Sequence, residues 1–264
     1  MSIRSFVRFV ALLCGATGCR QGTIIREEVG VLVGGTHERW SLEWRGRPTE
    51  ICSPGSEVAT TCPCDGFAYG ETGAVDLVRR RTGERDERLS LDPLFKNADG
   101  GPVGPTAPVL QRWPMLVSDI GGGEGDSAAL DRQVRARDVV RLMIPGDYDH
   151  DGQATEFLLQ VGTAPCGKRK MVLVGVSKAQ PTLHAFASVA HPDRPLILDD
   201  RVWRELLSAK GEASAVEVEC GDHGAKTLTE LTIAASAGAI DGSRAVYECK
   251  RDGTPGKRLS WERL

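Results

Sequence analysis

Asp147-Tyr148-Asp149-His150-Asp151-Gly152-Gln153-Ala154-Thr155-Glu156 stands between two apolar runs. Asp138-Val139-Val140-Arg141-Leu142-Met143-Ile144 leads into it, and Phe157-Leu158-Leu159-Gln160-Val161 leads out. Each run is short and β-branched or aromatic in part, which is the pattern of strands rather than of helices. Three carboxylates at alternate positions, with a glycine after the third, curve inward on a tight loop and offer oxygen to a hard divalent cation. By position Asp147, Asp149 and Asp151 supply side chains and Gln153 a carbonyl, and a further acid must close the sphere. The alternative is a polar turn whose aspartates bind only nearby backbone amides.

The same stretch resembles the Asp-rich loops of FG-GAP and VCBS-type repeats, in which the loop precedes a buried strand. It is also similar to the first half of EF-hand and dockerin loops. Positions 147, 149, 151 and 152 match both patterns. The helical version needs a Glu where this chain has Leu158, and the repeats place an acid where it has Thr155. The resemblance therefore implies the strand-flanked form of a structural Ca2+ site, with Thr155 or Glu156 completing the sphere, and affinity is expected at the weak end, about 10⁻⁴–10⁻³ M as in extracellular modules.

Strand-like segments recur on both sides. They are 23–33, 40–44, 74–78, 110–120, 170–176, 183–187, 215–220, 228–235 and 243–249, several with period-two alternation. Asp199-Asp200 can cap one short helix from Arg201 to about Ala209, with Val202 and Leu206 facing inward. The fold class read from this is mainly β, in antiparallel sheets with one short helix near 200–210, and α+β is the alternative. Residues 23–264 form the β-rich domain, and the Gly- and Pro-rich stretches near 97–130 mark a point of subdivision. Arg79 to Arg88 mixes five arginines with Glu84, Asp86 and Glu87, which is the composition of a solvated hairpin end.

The amino terminus reads as an address. Arg4 and Arg8 precede the apolar Phe9-Val10-Ala11-Leu12-Leu13, and small residues follow to Ala16-Thr17-Gly18-Cys19. That is a secretory signal over 1–18, too short to be a stable membrane span. Its end resembles the lipobox of bacterial lipoproteins, although Ala16 replaces the usual Leu. The resemblance implies a lipidated Cys19, an anchor and linker over 19–22, and, since Arg20 is not the Asp of inner-membrane retention, the outer membrane. Removal of 1–18 takes Arg4 and Arg8 with it, so the formal charge goes from -3 to -5.

Cysteine usage agrees with export. Cys52, Cys62, Cys64, Cys166, Cys220 and Cys249 remain beyond Cys14 and Cys19, an even set that reads as a disulfide framework in an oxidising compartment. Cys220 with Cys249 is the natural pair, Cys52 takes Cys62 or Cys64, and Cys166 takes the other of these two. A zinc site on Cys52, Cys62 and Cys64 has the wrong spacing, since one proline alone separates the last two.

Function is less legible than location. Interspersed charge excludes a nucleic-acid footprint, and 5% aromatics argue against a broad stacking platform. No Gly-x-Ser-x-Gly or His-Glu-x-x-His pattern occurs in the sequence. The reading is a non-catalytic cell-envelope lipoprotein, a calcium-stabilised binding or structural module that meets the membrane through its anchor and an envelope protein or ligand through its surface. The alternative is a hydrolase assembled from His184, His191, His223 and nearby carboxylates. A third class is an inhibitor or assembly factor that presents the disulfide-clamped loops. His150 is expected to be exposed, and Asp222-His223 marks a candidate functional turn.

Overall fold

The computed structural model describes residues 23–53, 67–96, 107–119, 126–164, 168–209 and 211–264. The reading of 1–22, Cys62, Cys64 and Cys166, and of most of the glycine- and proline-rich stretches, falls outside them. Among the described residues the protein is mainly β, built from antiparallel sheets.

The first sheet has the order β1 (Ile24–Val33), β2 (Thr36–Trp44), β5 (Val75–Arg80), β6 (Glu87–Ser90). Val33 pairs with Thr36, so Gly34 and Gly35 are the whole hairpin loop, and their φ of 55° and 84° explain why glycine occupies both places. A small second sheet joins β3 (Thr49–Ile51), β4 (Gly70–Thr72) and β7 (Val109–Gln111). In the third, β8 (Glu156–Ala164) pairs with β9 (Lys168–Gly175), whose other edge is shared by β10 (His184–Ala185) and β11 (Ile197–Asp199). The fourth is a meander of β12 (Glu212–Val218), β13 (Thr227–Ser236), β14 (Ala239–Cys249) and β15 (Pro255–Arg263). Helices are α1 (Asp92–Lys96), α2 (Ser127–Arg135) and α3 (Asp200–Ser208).

The β8–β9 pair is the middle layer, which is why its sequence is apolar without alternation. Phe157, Leu159 and Val161 of β8, with Val172 and Val174 of β9, pack against Trp40, Leu42, Trp44 and Leu77 of the first sheet. Leu158, Met171 and Leu173 point the other way, into a core shared with α3 and the fourth sheet through Trp203, Leu206, Leu231 and Ile233. A strand buried on both faces needs apolar residues at every position. Each such side chain contributes roughly 1.5–3 kcal/mol by leaving water, so this layer carries much of the stability. A smaller cluster packs Leu130 and Val134 of α2 onto Tyr69 and Trp113.

Several details depart from the expectation. The segment 138–144 is extended but joins no sheet. Its amides are taken by other partners: Glu27 accepts from Leu142 N and Met143 N at 2.8 and 3.1 Å, and Val140 N donates to Arg112 O. The strand expected over 110–120 is cut to Val109–Gln111, and a 3-10 turn follows at Val117–Asp119. Helices α1 and α2 add to the one helix expected. Asp126 caps α2 by accepting from Ala129 N, and Leu130 and Val134 give it one inward face.

Arg79 is the clearest correction to the solvated hairpin end. It shares the inner face of the first sheet with Val75 and Leu77, and its side chain is only 4% exposed. Its guanidinium bonds Glu38 at 2.6 and 2.9 Å and Pro181 O at 2.5 Å, while Trp40 Nε1 donates to the same carboxylate. A buried charge persists only when paired and fully hydrogen-bonded, and this one is. The rest of that charge run behaves as a surface ladder, with Arg80 and Arg88 covering Glu43.

The disulfide between Cys220 and Cys249 is present, and it clips the connection after β12 to the end of β14, across the strand between them. Cys52 is disulfide-bonded as well, with a partner outside the described residues. No described helix is long and apolar enough to cross a membrane.

Candidate metal centre

The acidic loop is closed at its neck by Gly146 and Glu156, whose backbones exchange hydrogen bonds of 3.0 and 3.3 Å. Inside the neck the aspartates hold the turn. Asp149 Oδ1 accepts from Asp151 N at 3.1 Å, Asp151 Oδ1 from Gln153 N at 2.8 Å, and Asp147 Oδ2 from Gly152 N at 3.1 Å. Two left-handed residues make the curvature, His150 at φ 53° and Gly152 at φ 87°.

That geometry gathers one oxygen from each of Asp147, Asp149 and Asp151 within 4.8 Å of the others. Asp149 is 0% exposed and Asp151 7%. Asp149 Oδ2 and Asp147 Oδ1 are buried with no hydrogen-bond partner among the described residues. Two orphaned carboxylate oxygens beside one another are expensive to keep dry. Burial first, and then the charges of Asp151 and Asp147, push the Asp149 carboxyl up to about 6. A group of this kind could hold a metal ion, whose charge would remove the penalty.

The loop is fixed from outside by parts of the chain that no local spacing reveals. The Gln153 amide oxygen accepts from Gly34 N in the β1–β2 turn at 2.6 Å. Lys178, just after β9, donates its backbone N–H to Asp151 Oδ2 at 2.6 Å and its ammonium to the Asp151 carbonyl. The β13–β14 turn closes the far side, with Ala237 N on His150 O and Gly238 N on Asp149 O at 3.3 and 3.1 Å. A Cβ on Gly238 would lie 3.6 Å from Asp149 Oδ2. His150, expected to be exposed, is half-buried and its Nε2 lies 2.8 Å from Leu206 O at the end of α3.

Thr155 and Glu156 are placed against the other side of the neck. Glu156 Oε2 accepts from Tyr148 N at 2.7 Å, and its Oε1 lies 2.6 Å from Thr155 Oγ1. The same hydroxyl is 2.8 Å from Val176 O. One hydroxyl hydrogen cannot serve both oxygens, so the chain of contacts is complete when Glu156 is protonated and donates to Thr155. Burial pushes that carboxyl up to about 8, with the charge of Asp149 adding to it. The tight three-acid group is thus Asp147, Asp149 and Asp151, while Thr155 and Glu156 bond to each other and to the backbone.

Two of the histidines named for a hydrolase, His184 and His191, have separate partners. His184 stacks on Phe186 at 4.3 Å with Nδ1 on Thr182 O, and His191 reaches Arg263 O with Nε2. Asp222 and His223 belong to the 3-10 turn Asp222–Gly224, entered through left-handed Gly221. Among the described residues, the only cluster of metal-ligating side chains is the aspartate group.

The fold and this loop together define a mainly antiparallel β protein with a disulfide and an acidic loop able to hold a metal ion. Comparison with protein-family models, with curated proteins and with solved structures gives no match to the chain.

Proposed function

We propose that this chain is a non-catalytic cell-envelope lipoprotein, anchored through a lipidated Cys19, whose binding or structural domain is clipped together by one Ca2+. The observation that carries the ion is the pair of buried, unpartnered oxygens on Asp147 and Asp149 beside Asp151. Oxygen-only ligands suit Ca2+ better than the softer transition metals, and Mg2+, which demands near-ideal octahedral geometry, is less well served. The anchor rests on the charged, apolar and small-residue stretch that ends at Cys19. The disulfide framework supports an oxidising compartment.

Calcium is a clip in this reading and not a catalyst. The loop joins the first sheet, the middle layer, α3 and the β13–β14 hairpin, so an ion there holds the layers in register. At millimolar calcium and weak affinity the gain is about 1 kcal/mol, or about 2–4 °C in melting temperature for a domain of this size. Thermal melting with and without calcium tests this. Asp149→Ala with Asp151→Ala should abolish the rise, and a parent protein that ignores calcium would overturn the site. Mass spectrometry of protein made in a bacterial envelope should find acylated Cys19, and an unmodified terminus would reject the anchor.

A further inference from the structure

A half-open cleft of about 300 Å³ lies between the extended segment 140–144, β8, β9 and α3. Its lining is mostly apolar and includes Ile144, Tyr148, Leu158 and Leu207. Ile144 and Leu207 remain 61% and 39% exposed, each next in the chain to a buried residue, Met143 and Leu206. Such a volume is at the lower end of small-molecule pockets, and an apolar lining with a few fixed polar groups is their usual chemistry.

The polar groups of the lining are uneven in sign. Arg141, Arg169 and Arg204 come from three different elements, and the sole acid with them is Asp200. Asp200 is already bonded to Arg204 at 2.8 Å. Arg141 and Arg169 are exposed and form no ion pair among the described residues. Two unneutralised guanidinium groups beside an apolar trough complement a molecule with an apolar tail and an anionic head. A planar guanidinium matches a carboxylate in bidentate fashion.

We propose that this cleft binds a single-chain fatty carboxylate, tail against Ile144, Leu158 and Leu207 and head against Arg141 and Arg169. The proposal gives the binding role above a ligand class and rests on that role, not on the ion. Calcium melting tests the clip, whereas fatty-acid binding tests the cleft, so the two can fail separately.

The experiment is calorimetric titration of the full chain with decanoate below its micelle concentration, in calcium-free buffer, against 1-decanol and acetate. Decanoate should bind, acetate should not, and decanol should bind at least tenfold more weakly than decanoate. Arg141→Glu with Arg169→Glu, both exposed positions, should weaken decanoate at least tenfold and leave decanol unchanged. Lys250→Glu with Arg251→Glu, the same total charge change on the β14–β15 turn, should have no effect. Leu207→Trp should fill the trough and weaken both ligands. Absence of decanoate binding, equal binding of decanol, or indifference to the double arginine reversal would each overturn the proposal.

Discussion

Raising the pH on the calcium-free protein should destabilise it, and Glu156 sets the size of the effect. Its carboxyl is 0% exposed, and burial raises it from the usual 4.5 to about 8. A carboxyl raised in the folded state contributes stability that is complete below its unfolded value and lost as the pH climbs through its folded value. Between pH 5 and pH 8 that loss is about 3–4 kcal/mol from Glu156 alone. Asp149, raised to about 6, acts with the same sign over the lower part of the window. His184 acts against both, because burial lowers it and its contribution is lost as the pH falls. Denaturant unfolding in the presence of a chelator, at pH 5 and pH 8, measures the net slope. Glu156→Gln keeps an acceptor for Tyr148 N and offers an amide donor to Thr155, so it should cut the drop to about 1 kcal/mol, the share left to Asp149. Equal stability at the two pH values, or a variant that retains the full drop, would refute the burial argument. Calcium melting on the same variant separates its roles: a retained rise leaves the ion on the three aspartates, and a lost one enlists Glu156.

Other outcomes follow from the packing. Gly238→Ala places a Cβ at φ 88°, 3.3 Å from Ala179 Cβ and 3.6 Å from Asp149 Oδ2, and should cost about 1–2 kcal/mol while blunting the calcium response in the same melting assay. Arg79→Ala leaves the Glu38 carboxylate buried without its partner and should cost about 3–5 kcal/mol in denaturant unfolding; Arg79→Met with Glu38→Leu should cost much less. Cys220→Ser with Cys249→Ser opens a link between positions separated by 29 in sequence and should lower unfolding free energy by about 3–4 kcal/mol on the chain-entropy model.

The strands that could be read from sequence were those whose own side chains decide their burial. Phe157 to Val161 and Met171 to Val174 are continuous apolar runs because both faces are covered, and the two-glycine break at Gly34-Gly35 marks its hairpin directly. Leu142 and Met143 look the same by composition, yet their amides are claimed by a carboxylate more than a hundred residues earlier, and no local pattern carries that information. Arg79 was misleading for a related reason. A charged residue in a charged run gives no sign that the register of its strand turns it inward, toward Glu38. In α2 the signal was there, in Asp126 three residues before Ala129 and in the Leu130 and Val134 spacing, but the preceding glycines mask it. The aspartates of the loop were legible because their spacing is local. Their outer supports, Gly34, Lys178 and Gly238, were not, since only the tertiary fold brings them there.

Those supports also fix when in folding the loop can acquire its shape. Gln153 meets Gly34 across a separation of 119 residues, and the loop backbone meets Gly238 from the other direction. The first contact can form once the middle of the chain has been made, but the second must await the β13–β14 hairpin. An unfinished chain therefore holds three aspartates without the wall that confines them, and carboxylates in that state have ordinary hydration and little grip on an ion. Cation uptake would then be a late event, a chemical signature that the β13–β14 hairpin has docked.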